Sequence, residues 1–182
     1  MMIDHFRRLA RYNSWANSRL YAATLALPDE ACHRQVGVFF KSLHGVLNHL
    51  MVADRIWLKR LTGQGEHPSR LDAVLYEDRA ELTRARIAED ARLIDVIDGY
   101  DEHALAGRLS YATTSGAPQE QVLSDILAHL FNHQTHHRGQ AHACLSILTG
   151  AEPPSLDLLM MLRGVPASDL DSLIQSLAGG RA

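Results

Sequence analysis

Two histidines, four residues apart on an otherwise apolar helical stripe, constrain this chain more than any other feature. They lie in His129-Leu-Phe-Asn-His133-Gln-Thr-His136-His137-Arg-Gly-Gln-Ala-His142, which holds five of the eleven histidines. On a helix His133 and His137 stack on one face, and Leu130, Ala141, Cys144 and Leu148 continue that stripe. Neutral imidazoles turned into a core need partners for their ring nitrogens. The i, i+4 spacing lets both reach one divalent ion. The chain is therefore expected to bind a metal inside a helical bundle.

Helical periodicity supports four long helices. The first runs from about Asp4 to Leu25, with Phe6, Leu9, Tyr12, Ala16 and Leu20 in phase, and Pro28 punctuates its end. The second runs from near Ser42 to Leu61 and stops at Gly63 and Gly65. The third is placed at roughly Asp72 to Ile97, after a link of about ten residues, and the fourth from just after Pro118 to Leu148. Between the last two, Leu109 and Tyr111 alternate with polar neighbours ahead of Ser115-Gly116, which suits a short extended segment or hairpin. Short helical pieces are expected at Leu156 to Leu162 and Ser168 to Leu177, and the end, Gly179-Gly180-Arg181-Ala182, is expected to fray. The expected organisation is one domain over residues 1–182, with a core at 1–150 and a C-terminal tail at 151–182.

Composition removes several function classes. The 46% hydrophobic and 21% charged residues are those of a globular chain. The net charge is −3 and no Arg/Lys block stands out, so no nucleic-acid partner is expected. No stretch approaches transmembrane length and no export signal is legible, so a cytoplasmic chain without a membrane partner is expected. Cys32 and Cys144 form no CxxC pair, which fits a reducing compartment.

A useful site needs a third ligand. His49, in Leu47-Asn48-His49-Leu50, is the best placed, although a hydrogen-bonded core histidine is an equal reading of that residue alone; His44 is its rival five positions earlier. His129 and His136 fall on a neighbouring face and are expected at the surface or behind the ligands. His5, His33, His67, His103 and His142 have no partner at ligand spacing and read as solvated or boundary residues. The window His133-Gln134-Thr135-His136-His137 overlays the H-E-x-x-H metalloprotease pattern, but Gln134 replaces the glutamate base, which disfavours protease chemistry. Asp54 and Asp125 sit off the ligand faces and read as solvated or capping residues. Cys144, seven residues beyond His137, is about 10 Å along the helix and reads as a buried structural thiol. Trp15 and Trp57 read as core, and Gly139 would suit a close helix crossing.

Four stretches resemble the DinB family: Tyr12-Asn13-Ser14-Trp15-Ala16-Asn17, Leu47-Asn48-His49-Leu50, Ala53-Asp54-Arg55-Ile56-Trp57-Leu58 and, most specifically, Asn132-His133-Gln134-Thr135-His136-His137-Arg138-Gly139-Gln140. The match extends over about residues 1–150. The resemblance implies an all-α four-helix bundle of up-down-down-up topology, with the short C-terminal helical segments appended. It also implies a divalent metal held by His49, His133 and His137, and a homodimer. A broader superfamily includes transferases and isomerases that use low-molecular-weight thiols such as bacillithiol or mycothiol.

Three imidazoles leave one to three metal positions open, the arrangement of catalytic sites. The expected function is a metal-dependent thiol S-transferase acting on small electrophilic substrates. The ion would be zinc or nickel, with iron or manganese as alternatives, and a small thiol would be the cosubstrate. No general base is assigned. The alternatives are a non-catalytic metal-binding stress-response protein and a metal-dependent hydrolase of small esters or amides. A helical interaction module with core histidines is the reading that requires no metal.

Overall fold

A computed structural model gives the structure and describes residues 1–179. Its elements are α1 (Met2–Leu25), α2 (Asp29–His33), α3 (Leu43–Thr62), α4 (Arg79–Asp98), α5 (Glu102–Ala106), β1 (Arg108–Ala112), β2 (Pro118–Val122), α6 (Leu123–Thr149), α7 (Leu158–Leu162) and α8 (Leu170–Gly179). The long helices α1, α3, α4 and α6 carry the core. α1 packs against α4 and α6, and α3 packs against the same pair, so α1 and α3 face each other across the bundle.

Local chemistry explains the boundaries. Ser42 opens α3 by accepting a hydrogen bond from the Gly45 N–H at 3.1 Å, and Gly63, with φ of 72°, closes it in the left-handed conformation that glycine adopts without cost. α4 starts at Arg79, seven residues after the expected start. Asp78 accepts from the Glu81 N–H at 2.9 Å, an N-cap with its acid three positions on. The link from α3 to α4 is consequently residues 63–78, longer than the expected ten. Its Leu75 and Tyr76 N–H groups donate to Asn48 Oδ1 at 2.8 and 3.1 Å, so Leu75 belongs to a loop pinned on α3 and not to a helical stripe. α6 begins at Leu123 because residues 118–122 pair antiparallel with β1, from Arg108↔Val122 to Ala112↔Pro118. The expected hairpin is present, and its return strand takes the residues assigned to the helix start. The five-residue helices α2 and α5 were not legible from periodicity.

The bundle interior is layered. One apolar cluster gathers Leu20, Tyr21, Leu47, Leu50, Leu82, Ala141 and Leu145. The other gathers Ile3, Phe6, Ala10, Leu58, Leu93, Leu127 and Leu130. Along each helix a group of buried polar residues falls between these two sets: Asn13 and Asn17, Asp54, Arg86 and Asp90, Gln134 and Arg138. The tail is tied to α1 by Tyr12 Oη donating to the Leu156 carbonyl at 2.7 Å and by Trp15 Nε1 donating to that of Val165 at 2.8 Å. Gly179 closes α8, and the expected frayed end otherwise falls on residues 180–182, outside the described residues. Among the described residues no helix is long and apolar enough to cross a membrane.

Candidate metal centre

Where α3 lies against α6, three imidazoles converge. His49 Nε2 is 3.3 Å from His133 Nε2 and 3.2 Å from His137 Nε2. Hydrogen bonds on the far side of two rings decide what those nitrogens offer. His49 Nδ1 lies 2.7 Å from the Leu71 carbonyl, which only accepts, so Nδ1 carries the hydrogen and Nε2 of the neutral ring presents a lone pair. His137 Nδ1 donates in the same way to Gln140 Oε1 at 2.8 Å. Two lone pairs facing each other at 3.2 Å repel unless a cation lies between them. Zinc–nitrogen bonds of about 2.0–2.1 Å in tetrahedral array separate the nitrogens by about 3.3–3.4 Å, so this donor set fits such an ion.

Burial holds the rings neutral. It pushes His133 down to about 3, with His137 and His49 adding to the depression, and it lowers His49 and His137 as well. The lone pairs are therefore available to a metal at neutral pH without displacing a proton.

One wall comes from the turn before α3. The Phe40 ring stacks on His49, with centroids 3.9 Å apart and planes 18° apart, and meets the edge of His137 at 5.6 Å. The turn closes so tightly that a Cβ at Gly45 would collide with the Phe40 carbonyl, which explains glycine there. His49 is buried, while His133 and His137 are half-buried, so the cluster faces solvent on the α6 side.

Comparison with known proteins identifies the family and the fold. The sequence profile of the DinB family matches residues 2–168. The chain belongs to the DinB family. It is 28% identical over 162 residues to Protein DinB of Bacillus subtilis (strain 168), covering 85% of this chain and 92% of that protein. A crystal structure of a DinB-like protein from Bacillus cereus ATCC 10987 shares the fold at a TM-score of 0.65 and 19% identity, covering 84% of this chain and 95% of that one. The family match runs past residue 150, the expected limit of the resemblance, and takes in α7, which packs back on α1.

In this DinB-family chain the remaining candidates sort by position. His44 turns away from the trio, with Nε2 3.1 Å from Asn48 Nδ2. His129 and His136 are exposed, at ring distances of 6.0 Å from His133 and 4.7 Å from His137. Gln134 is buried and donates to Asp54, so it points away from the three imidazoles. Asp54 is neither solvated nor a cap. It is 1% exposed and paired with Arg86 at 2.7 Å, a partner on another helix that periodicity does not reveal. Asp125 is exposed as expected. Cys144 is fully buried and its thiol is pushed up by burial, which fits a structural role. Trp15 is core, whereas Trp57 is half-buried and meets Tyr111 and His129 edge-on. Gly139 has open space around it, so no helix crossing requires it. Sequence reading missed Phe40, the Leu71 carbonyl and Gln140. Only Gln140 had a signal, three residues after His137 on the same helix.

Proposed function

We propose that His49, His133 and His137 hold one divalent transition metal and that the protein is a metal-dependent enzyme of the thiol S-transferase type. The observation that carries this reading is the trio of converging ring nitrogens, two of them fixed as lone-pair donors by Leu71 and Gln140. When bound, the ion supplies Lewis-acid activation that lowers the pKa of a coordinated thiol. The protein's own part is to hold three neutral donors and leave the α6 side of the site open to a small thiol and its electrophile.

The surroundings of the site favour thiol transfer over hydrolysis. Among the described residues, the cluster formed by these three contains no carboxylate. The amide that stands where a protease has its glutamate is turned into the core. A thiol can lose its proton to solvent, so thiol transfer needs no general base from the protein, whereas water-activating hydrolases of the H-E-x-x-H type require one.

The test is conjugation of a small fluorogenic electrophile to cysteine, glutathione, bacillithiol or mycothiol by metal-loaded, untagged protein. The reading expects a rate above that of the thiol alone that falls to background on chelation and in His137→Ala. Metal-loaded protein that accelerates none of these reactions would instead favour the non-catalytic metal-binding role.

A further inference from the structure

A second constellation lies beside the first. His33 ends α2, His44 stands in the first turn of α3, and Glu77 lies near the end of the 63–78 link. Each offers a ligand atom within 4.8 Å of the other two. The His33 and His44 rings are 4.2 Å apart with planes tilted 35°, and His44 Nε2 is 3.9 Å from Glu77 Oε2. Asp29 is a further oxygen donor, 4.0 Å from His33 Nε2, and its other oxygen pairs with Arg79 at 2.8 Å.

Hydrogen bonding accounts for only one nitrogen of the buried member, His44 Nε2, which lies 3.1 Å from Asn48 Nδ2. Asn48 Oδ1 accepts from the Leu75 and Tyr76 N–H groups, which fixes the orientation of the amide. Its two Nδ2 hydrogens have the carbonyls of His44 and Tyr76, each at 3.2 Å, so they do not require His44 Nε2 as a third acceptor. His44 is 3% exposed, and among the described residues its Nδ1 has no hydrogen-bond partner. A buried ring nitrogen without a partner calls for an explanation.

The place of the cluster suggests what it does. His33 and His44 bracket residues 34–43, the turn that lays Phe40 on His49. Glu77 belongs to the link whose Leu71 carbonyl takes the His49 Nδ1 hydrogen. Both contacts that orient His49 thus come from segments that meet at this cluster.

We propose that His33, His44 and Glu77 form a second divalent-cation site, which staples segments 34–43 and 63–78 to α3 and so fixes the orientation of His49. Two imidazoles and a carboxylate suit zinc. The site itself does not depend on the first site being loaded, so the two can be tested separately.

The experiment uses untagged full-length protein and zinc alone as the probe. In His133→Ala/His137→Ala protein, equilibrium dialysis should still find about one equivalent of zinc, and adding His33→Ala and Glu77→Gln should abolish it. His33 and Glu77 are exposed, so replacing them spares the core. If His133→Ala/His137→Ala protein does not fold, the wild type should bind one equivalent more than His33→Ala/Glu77→Gln protein. Hydrogen exchange reads the staple. Zinc at about 100 times its Kd should slow exchange of amides in residues 36–42 and 71–76 by about 100-fold, and only where His33 and Glu77 are intact. Zinc binding that survives His33→Ala/Glu77→Gln, no zinc in folded His133→Ala/His137→Ala protein, or bound zinc without loop protection would overturn the proposal. Failure of the first site would look different: His133→Ala/His137→Ala would leave the stoichiometry of wild type unchanged while His33→Ala/Glu77→Gln still lowered it.

Discussion

The two faces of one stretch of α6 use polar residues in opposite ways. His133 and His137 point to the cleft with ring nitrogens crowded against His49, and the lone pairs of His49 and His137 face each other. One position further along, Gln134 and Arg138 point into the bundle, where Gln134 Nε2 donates to Asp54 and Arg138 to Asn13. Behind them Arg86 pairs with Asp54 at 2.7 Å and with Asp90 at 2.9 Å, and Asn13 and Asn17 donate to Asp90. Burial opposes the charge on Arg86, but Asp90 and Asp54 outweigh it and keep the guanidinium charged. The inner face is an ionic layer held between two apolar ones by charge pairs, whereas the outer face is an open set of lone-pair donors.

Breaking the inner layer should have the largest effect on stability. Arg86→Met strands Asp54 and Asp90 without their cation and should cost about 3–5 kcal/mol in urea unfolding, because an uncompensated buried charge is left behind. A loss below about 1 kcal/mol would show that the layer is not held by these pairs.

Breaking the outer face should instead remove a ligand effect. With the ion at about 100 times its Kd, chelation should lower stability by about 2.7 kcal/mol through the first site alone. His133→Ala/His137→Ala should lose that change. Both comparisons are best made in protein carrying His33→Ala/Glu77→Gln, which isolates the first site.

A finer contrast separates the faces at neighbouring residues. Gln140→Leu removes the acceptor that orients His137 and should weaken metal binding about 10–100-fold, read by competition with a chelator. Gln134→Leu lies beside His133 but faces Asp54. It should lower stability and leave metal affinity within a factor of about three, well short of the loss at an orienting residue. Equal affinity losses in the two variants would erase the distinction between the faces.

The smallest effect concerns pH, because a half-open site is partly screened by water. His133 titrates near 3 in the folded protein against about 6.5 when unfolded, so the unfolded chain binds more protons between those values. Metal-free protein should keep this stability above pH 6.5 and lose it progressively as the pH falls toward 3. His133→Phe should flatten that part of the stability curve, and an unchanged slope would contradict the depressed titration.

What was legible in the sequence was local. His133 and His137 announced themselves because i, i+4 spacing is a property of one helix, and His49 was the best-placed third ligand before the resemblance to the family implied the same trio. The start of α4 was also written locally, in Asp78 and Glu81, but Leu75 continued the apolar phase and masked it. The rest depends on segments that meet only after folding. Nothing in residues 63–78 predicts that the Leu71 carbonyl reaches His49, or that Phe40 stacks on that ring. Asp54 looked like a solvated acid because its cation lies 32 residues away on α4. His33 looked isolated for the same reason: its neighbour His44 is beyond a turn whose course periodicity does not report.

The most direct test of the central claim is X-ray absorption spectroscopy, with elemental analysis, on untagged protein carrying His33→Ala/Glu77→Gln and purified without chelators. The account predicts about one equivalent of a divalent transition metal, bound by three imidazole nitrogens and at least one exchangeable light ligand, and lost in the protein that also carries His133→Ala/His137→Ala. A chain that takes up no zinc, nickel, iron or manganese, or an ion whose ligands are not these imidazoles, would contradict it.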